Sequence, residues 1–134
     1  MKVARFSPKS DLIIVRGKLR GPLNPDGRLL RLALDTGAGE TIIVPEVLDE
    51  LGYNPRQGEA ITVMRSVVGR EHGYMIRVER FECLGHQARN FRVNAQDLPE
   101  GWNIEGLVGL SFLRQFNYEV RSVEGRIRVE RAVA

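Results

Sequence analysis

The chain has 134 residues, a formal net charge of +3, two histidines and one cysteine. That length suits a single domain spanning residues 1–134 with its own core, while Cys83 with only His72 and His86 beside it excludes a disulfide framework and a zinc cluster. Arginines spaced along the chain rather than bunched argue against a nucleic-acid partner despite a pI near 9.4, and a chain built without disulfides is expected in the cytoplasm.

The N-terminal stretch MKVARFSPKSDLIIVRG holds only a short apolar run, LIIV. That is too short for a signal-peptide core or a membrane span, so no membrane partner is expected. DLIIVRGKL (11–19) predicts a strand. RGPLNPDG (20–27), with two prolines, an asparagine and Asp-Gly, predicts a loop, and RLLRLALD (28–35) a second strand that closes a hairpin. ETIIVP (40–45) is short and β-branched and predicts a third strand. PEVLDELG (45–52) predicts a short helix, with Pro45 in its first turn and Gly52 at its C-terminal cap.

Residues 60–85 predict a long β arm broken at Gly69 and Gly73, an extended hairpin with a glycine-bounded tip. ARNFRVNA (88–95) predicts a strand and DLPEGWN (97–103) a loop. In IEGLVGLSFLRQF (104–116) an apolar strand ends at Gly109 and a short helix follows, with Leu110, Phe112, Leu113 and Phe116 on one side. NYEVRSVEGRIRVERA (117–132) predicts a closing hairpin that turns near Val123 to Gly125. The chain is therefore expected to be all-β with one or two short helices.

One feature of this layout is chemical. Asp35 leaves an apolar strand, LLRLAL, directly into Thr36, Gly37 and Ala38. With the glycine-tipped SVVGREHGY and the later GLVGLSFL, this order of segments resembles the retropepsin-like aspartic peptidases, single-lobe proteins that work as homodimers. The likeness covers roughly residues 11 to 131. It implies a single-lobe acid-protease barrel, active as a symmetric homodimer and cutting peptide bonds in extended polypeptides without a cofactor or metal. Asp35 would be catalytic, paired with the Asp35 of a second copy. Thr36, Gly37 and Ala38 would form its scaffold, and Leu107, Val108 and Gly109 would cross behind it, Gly109 because a side chain would block the crossing. The hairpin tip, including Val68, Gly69, Arg70, Glu71, His72 and Gly73, would be a flap over the substrate. At Gly39 this chain lacks the polar residue usual in the family.

The physics of that assignment is coherent. Two carboxyls sharing a proton can deprotonate a water and protonate a carbonyl oxygen together. One chain carries one Asp-Thr-Gly, so symmetry would have to supply the second. Cys83 reads as a small strand residue rather than a nucleophile, and Asp97 and Glu105 as loop carboxylates rather than a second acid. Trp102 could pack on the body or line a pocket. A different reading stays open: a dimer of the same fold that holds extended peptides without cutting them. A nucleic-acid-associated barrel rests on the basic pI alone.

Overall fold

The computed structural model describes residues 1–66 and 69–131, and of residues 62–66 and 69–71 the backbone alone. Apolar side chains alternate along β2 (Ile14–Gly21), so Val15 and Leu19 point inward while Arg16 stays exposed. β2 pairs antiparallel with β3 (Asn24–Leu34), which buries Leu30, Leu32 and Ala33. The loop expected over 20–27 is much shorter than predicted. Gly21 already faces Asn24, and Pro22 and Leu23 alone make the turn. Residues 25–27 are absorbed as a bulge opposite Arg20, where Pro25 owes the ladder no N–H and the Asn24 side chain accepts from the Gly27 amide at 3.0 Å.

β4 is only Ile42–Ile43, shorter than the expected strand, because the Thr41 amide turns to Ser111 Oγ and Pro45 begins a helix. The Thr41 carbonyl accepts from the Asn94 amide, and the Val44 amide donates to the Glu105 carbonyl. Helix α1 (Pro45–Glu50) lies where predicted, and Gly52 follows it at φ 93°. A 3-10 turn at Pro55–Gln57 leads into β5 (Ala60–Ser66) and the long β6 (Gly69–Cys83). β7 (His86–Ala95), β8 (Gly106–Val108), α2 (Leu110–Leu113), β9 (Phe116–Arg121) and β10 (Arg126–Arg131) complete the layout.

Six strands close on themselves in the order β2-β3-β8-β4-β7-β6, with β6 returning to β2 through Gly17↔Cys83 to Arg20↔Arg80. Closure gives each of these six strands a neighbour on both sides, and β5 is added beside β6. Only β3–β8 and β4–β7 are parallel among the described pairings. Inside lie Leu19, Leu32, Ile43, Ile76, Val78, Val93 and Val108, and α2 pushes Phe112 into a cluster of rings with Phe81, Phe91 and Phe116. A second sheet, in the order β1-β10-β9, joins the two ends of the chain through β1 (Lys2–Arg5), a strand the sequence reading did not identify. Among the described residues no helix is long and apolar enough to cross a membrane.

Candidate active site

Asp35 is the first residue beyond β3, and the neighbouring strand still holds it there. Its amide donates to the Val108 carbonyl at 2.9 Å, continuing the parallel pairing of Leu34 with Val108. The chain then turns back. The Gly37 amide donates to Asp35 Oδ1 at 2.9 Å and the Ala38 amide to the Asp35 carbonyl at 3.2 Å. The Asp35 side chain is half-buried, while Thr36 and Gly37 are exposed. Among the described residues the Thr36 hydroxyl bonds to nothing.

The loop is clamped from behind. A helix leaves its first amides without intrahelical partners, and here the loop supplies them. Leu110 N donates to the Ala38 carbonyl at 2.8 Å and Ser111 N to the Gly39 carbonyl at 2.9 Å. Leu107 and Val108 lie in β8 beside β3, and Gly109 crosses against the loop. A side chain on Gly109 would put a carbon 2.2 Å from the Glu40 carbonyl oxygen and 2.7 Å from that of Ala38.

Two hydroxyls that the sequence reading missed complete the clamp. Thr41 is fully buried and its Oγ1 accepts from Gly109 N at 3.2 Å and from Ser111 Oγ at 3.1 Å. Ser111 Oγ accepts in turn from Thr41 N at 3.0 Å. The Glu40 side chain accepts from Asn94 Nδ2 at 3.0 Å, tying the same loop to β7. The only sequence signal for this pair was a hydroxyl residue shortly after each glycine-bearing motif.

The hairpin arm expected over 60–85 lies largely within the described residues. β5 and β6 run in register from Ala60↔Met75 to Ser66↔Gly69, and β7 joins β6 only from Tyr74 onward, so the outer part of the arm is a two-stranded ribbon. Val67 and Val68 lie outside the described residues, and for Gly69, Arg70 and Glu71 the backbone alone is described. His72 is exposed and sits opposite Val63. Gly73 does not break the arm as expected. It pairs with Thr62 inside β6, and a side chain there would meet the Ala95 carbonyl oxygen at 2.1 Å.

The remaining candidates are engaged elsewhere. Glu105 accepts from the Arg31 amide at 2.9 Å and pairs with Arg28, so both of its oxygens hold β3 to the segment before β8. Cys83 is buried, and burial pushes its thiol up to about 12, which keeps it protonated. Trp102 is 45 % exposed and borders a cavity of about 390 Å³ with Asp11, Leu12 and Arg31. Among the described residues no group of three His, Cys, Asp or Glu could hold a metal ion.

A family model described as aspartyl protease matches residues 21–112, from the end of β2 through α2. No curated protein matches the chain. Among solved structures, a retropepsin-like aspartic protease from Rickettsia conorii superposes with a TM-score of 0.69 over 96 % of each chain at 14 % identity, a likeness of fold.

Proposed function

Because the chain belongs to the aspartyl protease family, we propose that residues 1–134 form one peptidase domain that pairs with a second copy and hydrolyses peptide bonds in extended polypeptides. The observation that carries this reading is Asp35 itself. Its carboxylate stands at the end of a barrel strand, with Oδ1 held by the Gly37 amide and the loop clamped by β8 and α2. A positioned carboxylate is what proton transfer requires, and positioning to within a fraction of an ångström is what such clamps provide.

In this reading a two-fold axis brings the second Asp35 to about 3 Å, where two like charges cannot both persist, so the pair keeps one proton. The ionised carboxylate takes a proton from a water as its oxygen attacks the scissile carbonyl. The protonated partner gives its proton to the carbonyl oxygen; on collapse the first carboxyl passes the water's proton to the amine, which leaves, while the second takes a proton back from the intermediate's hydroxyl. Exposed Thr36 is free to bond across the axis, Gly37 and Ala38 hold the turn, and Leu107, Val108 and Gly109 back it. The ribbon carrying Val68, Gly69, Arg70, Glu71, His72 and Gly73 closes over the substrate, which lies as an added strand. No cofactor enters, and the compartment is the cytoplasm.

The test is Asp35→Asn. Cleavage of a peptide library should be abolished while the circular dichroism spectrum and the sedimentation coefficient stay those of the parent. Mixed with an equal amount of parent protein, the variant should cut activity to about half, because random pairing leaves that share of parent chains with an intact partner. An unchanged rate on mixing would exclude a shared site. A protein that binds peptides in both forms and cuts none would be the non-catalytic module instead.

A further inference from the structure

The outer face of the β6–β7 ladder carries arginines where a ladder normally avoids them. Arg77 lies directly opposite Arg92, and Arg80 opposite Arg89. Like charges so placed destabilise a sheet. Glu59 bridges the first pair, at 2.7 Å from Arg77 and 3.1 Å from Arg92. Nothing bridges the second: among the described residues neither Arg80 nor Arg89 has a side-chain hydrogen bond or ion pair.

Asn90 explains how these cations gather. In a regular strand Arg89 and Arg92 would point to opposite faces. Asn90 between them has φ 50°, a left-handed turn that Asn tolerates, and this breaks the alternation. Arg77, Arg89 and Arg92 then border one groove of about 450 Å³, completed by Asn90 and by Ser111 and Gln115. Among the described residues no acidic one lines it. The groove offers guanidinium, amide and hydroxyl groups, with an uncompensated charge on Arg89.

We propose that this groove binds an acidic segment of a polypeptide, with its carboxylates seated on Arg89 and Arg92. A guanidinium takes a carboxylate or a phosphate with the same fork, so the choice rests on the rest of the lining. Single-stranded nucleic acid needs a free aromatic face on which bases stack. The one ring here, Phe91, is half-buried, stacked on Phe81 at 5.4 Å and packed against Phe112. The groove also adjoins the Asp35 loop, since Ser111 N donates to the Gly39 carbonyl and its hydroxyl bonds Thr41. The binding itself does not require Asp35.

The experiment follows a fluorescein-labelled oligoglutamate peptide by anisotropy, with the full chain and with its Asp35→Asn form. Both should bind it equally, and raised salt should weaken the binding. Arg89→Glu should weaken it about tenfold or more. Arg89 is exposed and unpaired, so this variant should fold; if it does not, Arg89→Gln supplies the same comparison with a smaller loss. Binding as tight in the variants as in the parent overturns the proposal. So does displacement of the peptide by an oligonucleotide at lower concentration than by unlabelled peptide. A protein that binds the peptide and cuts nothing leaves this proposal standing and removes the peptidase reading; the converse removes this one alone.

Discussion

Asp35 is held by hydrogen bonds to backbone, and so are most of the residues around it. The Asp-Thr-Gly turn was legible in the sequence because it is local: Gly37 returns its amide to Asp35 Oδ1 two residues back. The Thr41–Ser111 pair was not legible, because its partners are 70 residues apart and meet only when α2 docks behind the loop. Thr41 is the more exacting of the two. Replacing it by valine conserves shape but strips the acceptor from Gly109 N and the partner from Ser111 Oγ, both in the clamp. Leaving the buried Gly109 N–H unsatisfied costs about 1–3 kcal/mol. Thr41→Val should therefore lower the unfolding free energy measured in urea by that amount and reduce the cleavage rate. A change under about 0.5 kcal/mol would mean that the hydroxyls do not hold the loop.

At the scale of elements, the alternating strands and the two short helices were readable from period and punctuation. Their lengths were not. β4 shrank to Ile42–Ile43 because the Thr41 amide turns to Ser111 Oγ and Pro45 begins a helix. The 20–27 loop became a tight turn plus a bulge because its residues could pair across β2. Four residues of α2 could not stand alone as a helix; they hold because the Asp35 loop accepts their first amides and Phe112 is buried. β6 shows the same dependence. Gly73 reads as a turn residue by composition, yet it lies in the ribbon where the Ala95 carbonyl approaches too closely for a side chain. Gly73→Ala should destabilise the protein by about 1–3 kcal/mol in chemical denaturation. Gly39→Ala is the control: nothing lies within 4 Å of its new carbon, so its effect should stay within about 0.5 kcal/mol. Equal losses at the two sites would contradict this picture of the ribbon's base.

At the scale of the whole molecule, the barrel meets the terminal sheet at His86. Its ring lies 4.6 Å from that of Phe116 in β9, and among the described residues its buried Nε2 has no partner. Burial, and then Arg131 of β10, Lys2 of β1 and the chain's own N-terminus, lower its affinity for a proton below the ordinary histidine value. Arg131 also lies over the Phe116 ring at 5.3 Å. The unfolded chain therefore takes up this proton first as pH falls. Stability contributed by neutral His86 is present above about pH 6.5 and is lost as pH drops through the lower folded value. Thermal melts should show the parent losing stability on acidification across that window, and His86→Phe losing less. Parallel pH dependence in the two proteins would assign the acid sensitivity to other groups.

The amino-acid sequence by itself determined the all-β class, the strands from β2 onward, the two short helices and the Asp-Thr-Gly turn. Each of these follows from residues close along the chain, whose period, branching and turn chemistry act without distant partners. Only the tertiary structure decided that six strands close into a barrel, that β1 pairs with β10 to tie the two ends together, and that Thr41 reaches Ser111 behind Asp35. It also decided that Asn90 turns Arg89 and Arg92 onto one groove. These are contacts between residues far apart in sequence, and they form only once burial of the core has brought the strands together.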